Sequence, residues 1–396
     1  MLNKKIPALA SGLALSVSLG ACAHQSHNEF TNNDVAGAER SPASYVIQGY
    51  PILQAIEASG QTLAETTKDW MKKWDGMDLD DSTKYQFKEL SGSTSINLKI
   101  QKIDPTDPKG YKSRGSFVAR NGAANPDTEI AYFQMSAIFG YDHIFRPAAR
   151  YELGPRASAS FRSLINNASI HGSARLENKA SILKAIGSGN ALRGCVKAKK
   201  NDTATELTDI ANSGAAPNGA PRSSHPVIAS IQAGNPKPQA GTQVTLKKGY
   251  VGDALELARE YSVIMTLDAI FGQWDRYSGG NVVIMKDKDG HAHFYATDNG
   301  GADVNKGTSW NEHNLAWFSR YDRKVVGRVK ELYAFLNNPA SGYLGYTSAE
   351  RFLVDLGLYT QLDPGTYVER MKRNLKLFLD RVAAVEAQRG SAAYFD

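Results

Sequence analysis

The chain has almost no cysteine: Cys22 and Cys195 are the only two in 396 residues. A sequence this poor in cysteine is not a disulfide scaffold, so its fold must stand on an apolar core. It also lacks the signatures of several common chemistries. No Gly-x-Ser-x-Gly occurs, and no spaced His/Asp set points to a hydrolase. Gly187-Ser188-Gly189 has neither the spacing of a dinucleotide fingerprint nor a clear strand before it. Charge of one sign is scarce as well. Lys and Arg number 46 against 40 Asp and Glu, a formal net charge of +6, and no basic run is interleaved with aromatics. That pattern excludes a nucleic-acid surface. The apolar run at residues 6–21 is too short for a comfortable membrane span.

That run instead has the build of a targeting segment. Lys4 and Lys5 form a charged start, and the run ends Leu19-Gly20-Ala21-Cys22. The ending resembles the bacterial lipoprotein signal. The resemblance implies a signal peptide over 1–21, cleavage before Cys22, and lipidation of Cys22 as a membrane anchor. The alternative is an ordinary secretory signal with an incidental cysteine. Residue 23 is Ala rather than Asp, so the usual inner-membrane retention signal is missing. The expected address is the cell envelope, on the outer membrane facing the periplasm. With Cys22 lipidated no intramolecular disulfide remains possible, and without Lys4 and Lys5 the net charge is +4. Residues 22–45, polar and rich in Asn, Ser, Ala and His, read as a flexible tether.

Beyond the tether the length suggests two lobes. Residues 46–75 are helically patterned, with Trp70 and Trp74 on one face. From 84 to 121 the pattern changes to strands, and Leu98 and Ile100 alternate with Lys99 and Gln101. Between the first two strands, Leu90-Ser91-Gly92-Ser93-Thr94 is either a plain hairpin turn or a loop whose Gly92 lets backbone N–H groups approach a phosphate. A helix is expected over 126–139: Asn125 caps it, Pro126 opens it and Gly140 stops it. Glu129 stands near its start. Strand-like residues 144–153 follow, then a mainly helical stretch over 156–198. Residues 199–247 are a compositional outlier, poor in large apolar side chains, and read as a long mobile insertion. Residues 252–271 are apolar on nearly every face, which places that helix in a core and Asp275 at its end. A capping box at Thr347 and Glu350 opens one C-terminal helix. Asp363-Pro364 opens another, whose apolar stripe runs from Val368 to Val385 and is expected to dock on the larger lobe.

Residues 271–301 read as a hairpin bracketed by acids. With Asp289-Gly290 as a two-residue turn, residues 285–288 pair with 291–294, and Asn281 falls opposite Asp298. An acidic loop, a side-chain amide and a second carboxylate then converge, as a divalent metal holding phosphates requires. Two exposed loop acids are the plain alternative. His291 and His293 share one strand face, but the sequence offers them no third ligand nearby. Asp287-Lys288-Asp289-Gly290 lacks the later Glu of a calcium loop.

These pieces carry a resemblance. Residues 128–141, TEIAYFQMSAIFGY, look like the regulatory-helix motif of the secretory-pathway kinases, the Golgi casein kinase and four-jointed group. Residues 262–276, an apolar helix running into Asp275-Arg276, look like that family's catalytic loop. Residues 295–300 resemble its metal-binding Asp-Asn-Gly, and Tyr321-Asp322-Arg323 falls where a helix follows. The order matches over about 116–335. HipA-like toxin kinases and phosphatidylinositol kinases share the Asp-Arg … Asp layout, which points to the atypical protein-kinase-like superfamily.

The resemblance implies a two-lobed α+β fold. A strand-rich lobe with one key helix would cover 46–153, and a mainly helical lobe 154–396. Asp275 would orient or deprotonate an acceptor hydroxyl. Asp298 would hold Mg²⁺ or Mn²⁺ on the phosphates of ATP or another nucleotide. Glu129 would pair with a basic residue or help with the metal. Asn281 would be a second ligand, although it lies six residues after Asp275 where relatives have five; Ser278-Gly279-Gly280 is the stretch that would absorb the extra one. The family's phosphate-binding lysine belongs on the third strand, where this chain has Arg120. Lys99 or Lys102 would have to reach in from the strand before. The family's cysteine pairs are also missing. Two functions therefore follow: a phosphotransferase acting on a protein or glycan hydroxyl, or an inactive kinase-like module or scaffold at the envelope.

Overall fold

The computed structural model describes residues 50–89, 96–168, 172–187, 192–199, 205–206, 226–246, 249–276, 281–304, 307–359 and 362–396. Residues 1–45, on which the expected signal segment, Cys22 and the expected tether fall, lie outside the described residues, as do Gly92 and Ser278-Gly279-Gly280.

In chain order, α1 (Pro51–Ala58) and α2 (Glu65–Trp74) precede β1 (Tyr85–Glu89), β2 (Asn97–Ile103) and β3 (Tyr111–Ala119). Then come α3 (Pro126–Phe139), β4 (Ala148–Leu153), α4 (Pro155–Asn167), α5 (Ser173–Gly187) and β5 (Leu192–Lys197). The antiparallel sheet has the order β1-β2-β3-β5-β4. Along β2, Leu98 and Ile100 are buried while Lys99 is exposed, the alternation of a strand with one covered face. The cover comes from α4 and α5. Phe161 of α4 meets Phe117 at 5.5 Å and Phe87 at 5.9 Å, edge to face. Trp74 joins the same core and donates to the Arg114 carbonyl at 2.9 Å. On the other face Ile130 of α3 packs with Val118, Ala148 and Cys195.

β5 was not expected as a strand; 156–198 reads as helical. It inserts between β3 and β4, so the sheet draws on residues well past 153. Two glycines allow that insertion. A Cβ on Gly194 would stand 2.2 Å from the Val118 carbonyl, and one on Gly115 (φ +92°) 1.9 Å from the Lys197 carbonyl.

Next along the chain come β6 (Thr205–Glu206), α6 (Pro226–Ser230), β7 (Gln243–Thr245) and β8 (Val251–Asp253), followed by α7 (Ala254–Phe271). β9 (Val282–Lys286), β10 (Ala292–Ala296), α8 (Ser309–Ala316), α9 (Arg323–Asn337), α10 (Ala349–Leu356) and α11 (Pro364–Arg389) come after it. α7 is capped by Asp253, which accepts from Leu255 and Glu256 N–H, and it is buried on every side from Glu260 onward. α11 buries Val368, Met371, Leu375, Phe378, Val382 and Val385 and lies against α7, α9 and α10. Within the stretch 199–247, residues 226–246 are part of the packed body: Val227, Ile228 and Ile231 are buried, and the buried Arg320 donates to the carbonyls of Ser230 and Asn235. Among the described residues no helix is long and apolar enough to cross a membrane.

The β9–β10 hairpin forms, but one residue out of the expected register. Lys286 pairs with Ala292 and Val282 with Ala296. The loop is three residues, 288–290, not two. Gly290 takes the left-handed conformation (φ +88°), and the Asp287 carboxylate accepts from Asp289 and His291 N–H. Asn281 therefore faces Thr297, whose N–H it receives at 2.9 Å, and not Asp298.

Candidate active site

The site hangs on a buried arginine. Arg276, 1% exposed, forms a two-oxygen pair with Asp268 on α7, at 2.8 and 2.9 Å. Its remaining N–H groups reach the carbonyls of Asn281 and Thr297 and the side-chain oxygen of Asn299. One planar cation thus fixes the end of α7, both strands of the hairpin and the Asp298-Asn299-Gly300 loop. Tyr132 of α3 adds an O–H to Asp268 at 3.0 Å. Gln273 makes a second link. It accepts from Asp275 N–H at 3.0 Å and donates to the Asp298 carbonyl at 3.5 Å.

α3 is docked onto that loop. The Asn125 side chain accepts from Asp127 N–H as the helix cap, and its backbone N–H donates to the Gly300 carbonyl at 3.1 Å. Thr128 O–H reaches the Ala302 carbonyl. The approach is close at Gly300, where a Cβ would lie 3.1 Å from Asn125 N and 3.3 Å from Glu129 Cγ, so any larger residue would have to shift its neighbours. Docking turns Glu129 inward, 1% exposed.

Opposite it stands Lys197, at the end of β5. Lys197 Nζ donates to Glu129 Oε1 at 2.5 Å and to Asp298 Oδ1 at 3.4 Å. Burial works against the Lys197 ammonium, but Glu129 and Asp298 outweigh it and hold its pKa above the ordinary lysine value. The Lys197 ammonium in turn holds the Asp298 carboxyl below the usual range, with help from Arg146 and Arg276. Asp298 adopts φ 55°, ψ 45°, a left-handed conformation that costs a non-glycine residue about 1–2 kcal/mol. The strained turn aims its carboxylate back at β5.

The structure therefore brings Glu129 and Asp298 together as expected, around a lysine the sequence reading missed. Asp275 lies on the same loop system, half-buried, with Asn281 Nδ2 donating to its carbonyl at 2.7 Å and to its carboxylate at 3.4 Å. The cation beside Glu129 is Lys197, not one of those expected. Arg120, at the end of β3, is half-buried beside Asp127, Tyr367 and Asp303, whose charges act on it. Lys99 is exposed on β2 opposite Ser116 and Lys88, and Lys102 lies further along that strand opposite Tyr85. Lys197 has the place assigned to these residues because β5, next to β3 in the sheet, ends over Glu129. A signal was present: after the Gly-Ser-Gly-Asn break at 187–190, the short run Leu192-Arg193-Gly194-Cys195-Val196-Lys197 is strand-like.

The donor set fits a divalent cation. Glu129 Oε2 is buried and has no hydrogen-bond partner, while the Asp298 side chain is half exposed and held as a carboxylate. An unpartnered buried carboxylate oxygen beside a charged, accessible one is the hard-oxygen environment Mg²⁺ or Mn²⁺ takes.

No protein-family profile and no curated protein matches the sequence. Among solved structures, the Golgi casein kinase with Mn/ADP bound is similar at 12% identity and a TM-score of 0.45, over 84% of this chain and 78% of that one. A further crystal structure of the Golgi casein kinase is similar at 14% and 0.48, over 86% and 84%. Hydra Fam20 with sugar is similar at 11% and 0.45, over 78% and 88%. The reading of the site rests on the chain's own side chains. A five-stranded sheet carries Lys197, a docked helix presents Glu129, and the loops at the end of α7 and of the hairpin deliver Asp275 and Asp298, within a mixed α+β fold.

Proposed function

We propose that the chain is a metal-dependent phosphotransferase that moves the terminal phosphoryl group of a nucleotide to a hydroxyl of a protein or glycan. The observation that carries the proposal is Lys197, buried between Glu129 and Asp298. A lysine fixed by a helix glutamate, facing a metal-binding aspartate, is the pairing that phosphate-transferring kinases need in place. Asp298, with Glu129 Oε2 nearby, would hold Mg²⁺ or Mn²⁺, which would supply positive charge to offset that of the nucleotide phosphates. Lys197 grips the phosphates, with Arg146 as a second cation close by. Asp275 takes the proton of the acceptor hydroxyl. The acceptor oxygen then bonds to the terminal phosphorus, and the bond to the bridging oxygen breaks, so that oxygen leaves with the nucleoside diphosphate. Arg276 touches no reacting group and positions the loops. On a lipid anchor at Cys22 the activity would serve the envelope, where the donor need not be ATP.

The alternative, a non-catalytic kinase-like module, drew its support from Arg120 standing where a lysine is expected. Lys197 supplies that lysine from another strand. The test is transfer of label from several γ-labelled nucleoside triphosphates, with Mg²⁺ or Mn²⁺, to mixed protein and oligosaccharide acceptors. The full chain should label an acceptor, and Asp275→Asn should bind nucleotide without transferring. Metal-dependent nucleotide binding with no transfer to any acceptor would support the binding module instead.

A further inference from the structure

A second cluster of chemistry-bearing side chains lies toward the other end of the hairpin. Glu260, fully buried on α7, receives two imidazoles on one oxygen: His293 Nδ1 at 2.6 Å and His143 Nε2 at 3.1 Å. Its other oxygen accepts from Phe294 N–H at 2.8 Å, which fixes the carboxylate. The three ligand atoms lie within 4.8 Å of one another. Ligands about 2.0–2.1 Å from a tetrahedral zinc sit roughly 3.3 Å apart, so small side-chain rotations suffice to admit the ion. A simple ion pair explains one histidine on Glu260 and leaves the second without a reason.

The surroundings of His293 point the same way. Its far nitrogen, Nε2, meets Asp287 Oδ2 at 3.3 Å, and Asp287 is itself held by two backbone N–H groups. A carboxylate behind a histidine whose other nitrogen faces the ion is the usual support of a metal-bound imidazole. His143 is about one-third exposed, with a side-chain relative exposure of 32%, so the cluster is reachable from solvent on that side. Two imidazoles and one carboxylate form a donor set suited to Zn²⁺ rather than Mg²⁺ or Ca²⁺.

We propose that His143, Glu260 and His293 form a zinc site, with Asp287 orienting His293 and water completing the coordination. The site is separate from the nucleotide cleft: His293 precedes Asp298 by five residues, about 17 Å along an extended strand. It staples three segments whose other ends build that cleft. His143 follows α3, which carries Glu129. Glu260 is on α7, which leads to Asp275. His293 is on β10, which ends at Asp298.

The test is zinc competition between the chelator-stripped full chain and a chromophoric chelator, without nucleotide, with Co²⁺ as a spectroscopic probe. One zinc per chain is expected, with four-coordinate Co²⁺ absorption. His143→Ala, at a partly exposed position, should lose about 100-fold in affinity, and Asp287→Asn about 10–100-fold. Asp298→Ala should keep the zinc. Circular dichroism of each variant shows that it is folded. Zinc that the intact chain does not hold, or holds equally after His143→Ala and Asp287→Asn, would overturn the proposal and leave His293 as a protonated partner of Glu260.

Discussion

Replacing Arg276 with methionine should unfold the protein several degrees earlier and loosen a cleft that Arg276 never touches. Methionine fills part of the space but leaves Asp268 as a fully buried carboxylate with, among the described residues, only Tyr132 as a side-chain donor. Breaking a buried ion pair from one side costs about 3–5 kcal/mol, because the remaining charge is uncompensated. Unfolding entropy near 2.1 cal/mol/K per residue gives about 0.7 kcal/mol/K for a body of about 350 residues, so the midpoint should fall by about 4–7 °C. The carbonyls of Asn281 and Thr297 also lose a donor. Scanning calorimetry on Arg276→Met, Asp268→Asn and the double variant measures the effect. The double variant should be about 1–3 kcal/mol more stable than the two single losses together imply. A shift under about 1 °C, or strict additivity, would refute the idea that this pair ties α7 to the loops.

Other variants probe neighbouring claims. Gly115→Ala, whose Cβ would meet the Lys197 carbonyl at 1.9 Å in a left-handed backbone, should lower both the melting point and nucleotide affinity by displacing β5; unchanged affinity in a folded variant would detach Lys197 from the phosphates. Asn125→Ala removes the cap of α3 and should cost about 1 kcal/mol in denaturant unfolding. Cys195 is fully buried, and burial pushes its thiol well above the ordinary range. Labelling followed by peptide mapping should therefore find Cys195 unmodified in native protein and modified in denaturant, and rapid native labelling would contradict its placement.

What was legible in the sequence follows from where each feature is encoded. The capped helix 126–139 and the apolar stripe of α11 are local patterns of spacing, and both formed at their expected residues. Glu129, Asp275 and Asp298 stood beside recognisable local motifs. Lys197 did not, because its role depends on β5 entering the sheet beside β3, a pairing over 80 residues long in sequence separation, between Lys197 and Ser116. The hairpin register failed by one residue because Asp-Gly suits a two-residue turn, while the Asp287 side chain closes a three-residue one. The two buried acids of the largely apolar α7, Glu260 and Asp268, were readable as a warning, since a buried carboxylate demands a partner. Their partners, His143 and His293 for one and Arg276 for the other, were fixed only by tertiary packing.

The central claim is that Lys197 and Asp298 together hold a metal-bound nucleotide. The most direct measurement is calorimetric titration of the full chain with a non-hydrolysable ATP analogue, with and without Mn²⁺ or Mg²⁺, repeated on Lys197→Met and Asp298→Ala. Charged hydrogen bonds worth about 1.5–3 kcal/mol predict a loss of roughly 10–100-fold for each variant. Wild-type binding should require the metal. Binding that ignores the metal, or that survives Lys197→Met at full strength in a folded protein, would contradict the account.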